Sequence, residues 1–449
     1  MSILSDLPSD FAPLLLAFTP VFTQPTLSRF LLLLLAALLT TGRHTIANLL
    51  RTVGSLAQGH RTSFQRVLSS AHWSTFRLAC ALGRLVLRRF VPAGRVTLVG
   101  DDTVDGHPGR KVYGKARHRD AVRSSHHYTA WRYGHKWVVL AVLVRVPFAN
   151  RPWALPLLVD LYRSEEDNQA RHRPHRTPAQ LMCRLLRVML GWFPDRDFVF
   201  VGDAGYGTHE VARFVTRHRQ RLALVSKLHP KANLFEPPPP YSGSGRPRVK
   251  GARLPKPCQV VEQKRRLRLR TVAWYGGGQR QVRVASGQGH WYKSGAGLVP
   301  LQWVFVKDQD GTHRDEYFFT TDLTLKLEEI IGLYTGRWNI ETTFQELRSH
   351  LGLETTRGWC QNTVLRAAPC LFGLYTVVAL LYDSLPECKR QAAIAWPGKE
   401  TTTFSDALTA VRRWLWTEWV FAKAPGGPSV EKLPEPIREI LLSALAPAG

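Results

Sequence analysis

Residues 95–103 read Arg-Val-Thr-Leu-Val-Gly-Asp-Asp-Thr, and residues 197–203 read Asp-Phe-Val-Phe-Val-Gly-Asp. Each is a short apolar run, rich in β-branched and aromatic residues, that closes on a glycine and an acid. Runs of this length bounded by turn residues are the mark of buried strands. The first therefore ends at Asp101 and Asp102, and the second at Asp203. Between them the spacing gives strands over residues 136–146 and 154–162 and a helix over 178–190. Beyond the second lie a helix over 208–218 and a strand over 221–226. Three strands, a helix, a strand, a helix and a strand make an α/β layer pattern.

That order is the one expected of a ribonuclease-H-like core: a mixed sheet with helices on its faces. In that topology the two acid-ended strands are neighbours. Strand carboxyl ends are where sites gather in open α/β sheets.

Regularity then breaks. Residues 237–240 are four prolines, followed by Tyr-Ser-Gly-Ser-Gly and a basic stretch containing Arg246 and Arg248. This composition makes an extended basic loop. Strand patterns recur over 266–275, 281–286, 299–307 and 315–320, a β-rich insertion in the core. A long helix is then expected over 324–350. The division expected from these changes of period is a helical DNA-binding region, 1–92; the first part of the core, 93–230; the loop and insertion, 231–322; the second part of the core, 323–360; and a helical C-terminal region, 361–449.

On the long helix, 100° per residue brings Tyr334, Arg337, Glu341, Gln345 and Arg348 to one face. Leu333, Ile340, Phe344, Leu347 and Leu351 form the adjacent apolar stripe. The helix can bury that stripe on the sheet and aim Glu341 at the aspartates. Each acid alone has an ordinary reading, as a turn or cap residue for an Asp at a strand end or a solvated ion pair for a helical Glu near an Arg. Together they form a carboxylate set suited to hard divalent cations. Two Mg²⁺ ions roughly 3.5–4 Å apart stabilise both the attacking and the leaving oxygen of a phosphodiester exchange.

The charge agrees with a polyanionic partner. Lys and Arg number 61 against 34 Asp and Glu, a formal net charge of +27 spread along the chain. Nucleic acid fits better than a membrane surface. The apolar run at residues 30–39 is about half of the roughly 20 residues a span needs. The N-terminus carries Asp6 and Asp10 without a cationic lead, unlike a secretory signal. Six cysteines lie scattered, with no Cys-x-x-Cys pair, as in proteins of a reducing cytoplasm. No phosphate-binding Gly-x-x-x-x-Gly-Lys-Ser/Thr loop is present, so no nucleotide cofactor is expected. In residues 111–136, Lys115, Arg117, Arg132 and Lys136 alternate with aromatics, a pattern that can track a DNA backbone.

The string Tyr334-x-x-Arg337-x-x-x-Glu341-x-x-x-x-x-x-Arg348 resembles the Tyr-Arg-Glu-Lys signature of DDE insertion-sequence transposases. Asp102-Thr103 resembles that family's first Asp followed by Thr, and Gly202-Asp203-Ala204-Gly205-Tyr206 its second Asp. The likeness spans residues 30–360. It implies that Asp102, Asp203 and Glu341 are the catalytic carboxylates and bind Mg²⁺, as two ions, with Mn²⁺ able to substitute. Asp101 rivals Asp102 for the first position. The likeness further implies that Tyr334 and Arg337 contact phosphates near an element end, with Arg348 in place of the family's Lys. Implied with these are double-stranded DNA as partner, a homodimer on paired ends, strand cleavage and strand transfer, and a hairpin route. Two rival readings remain: a DNA-binding relative without chemistry, and a ribonuclease-H-like nuclease that cuts without joining.

Overall fold

The computed structural model describes residues 10–120, 124–125, 127–391, 399, 401–423, 430 and 432–447. Asp6 and the rest of the first nine residues lie outside it. After a short helix over Ala12–Leu16 come four longer ones: α1 (Gln24–Leu39), α2 (Ile46–Val53), α3 (Arg61–Ser69) and α4 (Thr75–Phe90). Their apolar sides join the core, while Arg43, Arg51, Arg61, Arg66 and Arg77 all face solvent.

Eleven strands form one sheet: β1 (Val96–Gly106), β2 (Ala116–Arg119), β3 (Trp131–Val144), β4 (Trp153–Tyr162), β5 (Phe198–Gly202), β6 (Leu222–Lys227), β7 (Leu234–Phe235), β8 (Arg268–Ala273), β9 (Gln279–Lys293), β10 (Gly297–Asp308) and β11 (Glu316–Thr320). β1 runs antiparallel to β3, and β3 antiparallel to β4. β5 lies parallel to β1 on its other side, and β6 parallel to β5. An antiparallel meander extended by two parallel strands is the ribonuclease-H-like arrangement. The crossovers run through α5 (Pro178–Trp192) and α6 (His209–Arg217). α5 starts at a capping box, in which the Thr177 side chain accepts from the Gln180 backbone and Gln180 from Thr177.

The β-rich stretch does not form a sheet of its own. β11 pairs with β6, β10 with β11 and β9 with β10, so it continues the core sheet from its parallel edge. Strand β9 is also longer than its apolar run, since residues 287–293 stay paired to β10 up to a tight turn with Gly295 and Gly297 at positive φ.

The long helix expected over 324–350 is two helices, α7 (Leu327–Gly336) and α8 (Asn339–His350). At the junction the backbone amides of Arg337, Trp338, Ile340 and Glu341 bond three residues back, to Tyr334, Thr335, Arg337 and Trp338. This tightened turn shifts the phase between the two halves. A single helical wheel drawn across both is therefore wrong.

Two further helices, α9 (Gln361–Ser384) and α10 (Phe404–Leu415), cover the meander side. Helix α9 is long and apolar enough to cross a membrane by length and composition, but 67% of its most apolar window is buried against β4, α4 and α10. The run at residues 30–39 lies within α1, whose buried side joins the same core.

Candidate active site

Gly100 and Gly202 sit opposite each other on parallel strands β1 and β5. A Cβ on Gly100 would lie 2.6 Å from Met182 of α5 and from Phe200; one on Gly202 would lie 2.6 Å from Tyr206. Both positions need glycine because side chains beneath them approach the backbone. Strand alternation then points Asp101 away from α5, to the face where α8 packs. That helix is seated by Thr343, whose hydroxyl donates to the carbonyl of Ala154 at 2.9 Å. Asp203 follows Gly202 as Asp101 follows Gly100, but β1 does not end at its aspartates as expected: it stays paired to β3 as far as Gly106, so Asp101 and Asp102 lie in mid-strand while Asp203 stands just past β5. Its carboxylate accepts from the backbone amides of Gly205 (2.9 Å) and Tyr206 (3.3 Å), which fixes the turn after β5.

Arg337, in the break between α7 and α8, binds two of the acids. It donates to Asp101 at 2.6 Å and to Glu341 at 3.0 Å. Burial pushes the Asp101 carboxyl up to about 7; Arg337 opposes this, and the charges of Asp203 and Asp102 add to it. Asp102 points to the other face and pairs with Lys136 at 3.1 Å. Burial raises its carboxyl too, against the pull of Lys136.

The expected cluster of Asp102, Asp203 and Glu341 is thus not brought together as drawn. Asp101, not Asp102, shares the Arg337 contact with Glu341, because adjacent strand residues face opposite sides. Among the described residues no group of three His, Cys, Asp or Glu side chains stands close enough to hold a metal ion. Arg337 stands as the cation between Asp101 and Glu341. The donor set itself is the oxygen-rich kind that divalent cations take.

The other expected residues fall in varied settings. Tyr334 is 3% exposed, with its ring stacked 4.2 Å from that of Phe318. Its ring is core, not the open face that the helical wheel gave it. Arg348 donates to the hydroxyl of Thr103 and to Glu354 at 3.1 Å. Arg132 meets the same Glu354 at 2.5 Å. Lys115 donates to the carbonyl of Gly109 at 2.7 Å, and Arg117 is exposed. Arg246 and Arg248 are exposed in the loop that follows the prolines. Trp303 is core.

Three features escaped the sequence reading. Glu354 bridges two of the expected DNA-contacting arginines. Tyr206 is buried, with its hydroxyl unpartnered, and Asp102, Asp101 and Asp203 all raise its pKa beyond the effect of burial. A groove beside α5 and α6 gathers Arg176, Arg184, Arg187, Arg213, Arg217 and Lys293. A signal for Asp101 did exist: Val-Gly-Asp occurs at 99–101 and again at 201–203.

The family profile described as DDE superfamily endonuclease matches residues 17–281, which include Asp101, Asp102 and Asp203. The chain belongs to the DDE superfamily of endonucleases. A second profile, described as archaeal putative transposase ISC1217, matches residues 252–368, which include Glu341. Together the two profiles take in the sheet from β1 to β11 and the first turns of α9. Members of this DDE superfamily generally use divalent metal ions. Curated proteins give no match. Among solved structures, a piggyBac transposase synaptic complex with hairpin DNA is similar at 10% identity, with 95% of this chain and 77% of that one covered and a TM-score of 0.42.

Proposed function

We propose that this DDE endonuclease is a DNA transposase that cuts element ends and transfers the freed strands, with Asp101, Asp203 and Glu341 as its carboxylates. The observation that carries the assignment is the contact of Arg337 with both Asp101 and Glu341. Asp102 stands second, favoured by its place directly before Thr103. Two Mg²⁺ ions, or Mn²⁺ in their stead, would stabilise the attacking and leaving oxygens of the phosphodiester. The chain's own residues supply the rest. Asp101, within β1, and Asp203, just past β5, offer oxygens from adjacent strands. Glu341 joins them when its bond to Arg337 opens, and Arg337 is then free to meet a DNA phosphate.

Duplex DNA is the substrate in this reading, contacted through its backbone by Arg348, Lys115, Arg117, Arg132, Lys136, Arg246 and Arg248. The cationic groove along α5 and α6 adds backbone contacts on the opposite face. Tyr334 serves by packing rather than by touching phosphate. Hydrolysis leaves a 3′-hydroxyl, which attacks the opposite strand, forming a hairpin and releasing the flanking DNA; a second hydrolysis reopens the hairpin, and the 3′-hydroxyl it frees attacks the target. Two ends cut in concert call for a homodimer.

One experiment tests this. The protein is incubated with Mg²⁺ and a labelled duplex carrying the inverted repeats that flank its gene. Cleavage plus joining, lost in Asp203→Ala and Glu341→Gln, supports the proposal. Binding without cleavage supports the reading of a DNA-binding relative without chemistry, which the closure of Glu341 onto Arg337 favours. Cleavage without joining supports a plain nuclease.

A further inference from the structure

At the edge of the sheet β2 pairs with the first four residues of β3, Trp131–Gly134, as a short two-stranded ribbon, before β3 continues between β1 and β4. The register pairs Arg117 with Tyr133 and Arg119 with Trp131. These four residues share one face, and all four are exposed, Trp131 at 51% and Tyr133 at 60%. The opposite face holds the buried His118 and Gly134. On the outer face, cations lie against the rings. Arg117 Cζ is 4.4 Å from the Trp131 ring centroid, and Lys115 Nζ is 5.8 Å from that of Tyr133.

Protection of a sheet edge accounts for the charges but not for the rings. Edge strands are blunted by Lys, Arg and Pro, and an exposed Trp works against that end. Packing does not account for the rings either, since both stand half in solvent. A second copy of the chain would bring three more cations against these three, which repel. A partner must carry negative charge and also offer flat apolar faces spaced along a backbone. Nucleic acid does both, but a duplex hides its base faces inside the stack. Only unpaired bases leave a face free for a ring.

We infer that the outer face of the β2–β3 ribbon is a stacking platform for unpaired bases, with Trp131 and Tyr133 taking successive bases and Lys115, Arg117 and Arg119 taking the adjoining phosphates. This rests on the DNA-acting reading above and adds to it a preference for separated strands, such as those beside a cut end.

The test compares binding of two DNAs by the full chain: a blunt duplex, and the same duplex with an unpaired arm that carries 2-aminopurine. The unvaried protein should prefer the forked DNA and quench the 2-aminopurine. Trp131→Ala and Tyr133→Ala should each weaken forked binding about tenfold and relieve the quench, while duplex affinity stays within about twofold. Trp131→Phe and Tyr133→Phe should keep most of the preference, which separates stacking from damage to the ribbon. Arg117→Gln with Arg119→Gln should weaken both DNAs and flatten the salt dependence by about two ions. An unchanged fork preference in the alanine variants overturns the platform and leaves the transposase reading standing. An equal loss of duplex and fork binding in them overturns it too. If the unvaried chain binds neither DNA, both readings fall.

Discussion

Arg337 donates to Asp101 at 2.6 Å, from the break between two helices to the middle of the first core strand. The contact joins residues 236 positions apart and settles which of two adjacent aspartates faces Glu341. Asp101→Asn should therefore abolish strand cleavage, a loss beyond the 10–100-fold typical of removing a residue that only supports a metal ligand. Asp102→Asn should keep activity within about tenfold. Single-turnover cleavage with Mg²⁺ reads both, and the reverse order would return the assignment to Asp102.

Burial of Asp101, which the Arg337 contact only partly offsets, gives stability a pH dependence. The Asp101 carboxyl is raised by burial from its ordinary value near 4 to about 7 when folded. Between those values the folded chain holds a proton that the unfolded chain has released. Stability should then fall as pH rises from about 4 to about 7, by a few kcal/mol at most. Thermal melts in chelator should show this slope. Asp101→Asn should flatten it and be the more stable protein at pH 8. Mg²⁺ should raise the melting temperature of the unvaried chain at pH 8, because a ligand of the folded state alone stabilises it. It should raise that of Asp101→Asn much less.

Glu354 neutralises two cations, Arg348 at 3.1 Å and Arg132 at 2.5 Å. Glu354→Gln frees both for phosphate. Duplex affinity should rise at low salt, and the dependence of log K on log salt should steepen by about one to two ions. Titrations at several salt concentrations measure this. The variant should also lose about 1 kcal/mol of stability as Arg348 loses a partner.

Arg412 is a buried guanidinium with carbonyls for partners. It donates to Leu38 at 2.7 Å, Thr40 at 3.4 Å and His350 at 3.3 Å. Burial lowers its pKa to about 10. It ties the C-terminal ends of α1 and of the Glu341 helix to one point. Arg412→Ala should destabilise by about 3 kcal/mol or more, since three carbonyls lose their donor inside the protein. Arg412→Met, which refills the volume without the charge, should recover part of that loss. Denaturant melts rank the three proteins.

Much of the fold was legible because its elements are local. Alternation and run length marked β1, β4, β5 and β6, and the layer order gave the ribonuclease-H-like arrangement. Glu341, Arg337 and Asp203 were legible as motif residues. The break at Arg337 and Trp338 was not. Neither residue is a helix breaker, and both keep right-handed helical backbone angles while the hydrogen bonds shift to three-residue spacing. Tyr334 is buried because α7 packs on β11, where its ring stacks on that of Phe318, and the shift is why a single helical wheel misplaces it relative to Glu341. That the β-rich stretch joins the core sheet was hidden as well, because pairing between β6 and β11 spans some ninety residues and leaves no local trace.

The sequence by itself determined that two strands carry Val-Gly-Asp and that a helical Glu follows an Arg by four residues, since period and glycine need are local properties of the chain. Only the tertiary structure decided that Asp101 is the aspartate set against Arg337 and Glu341. Neighbouring strand residues face opposite sides of a sheet, and which side the helix covers is fixed by packing far along the chain: by Met182 beneath Gly100 and by Thr343 on Ala154.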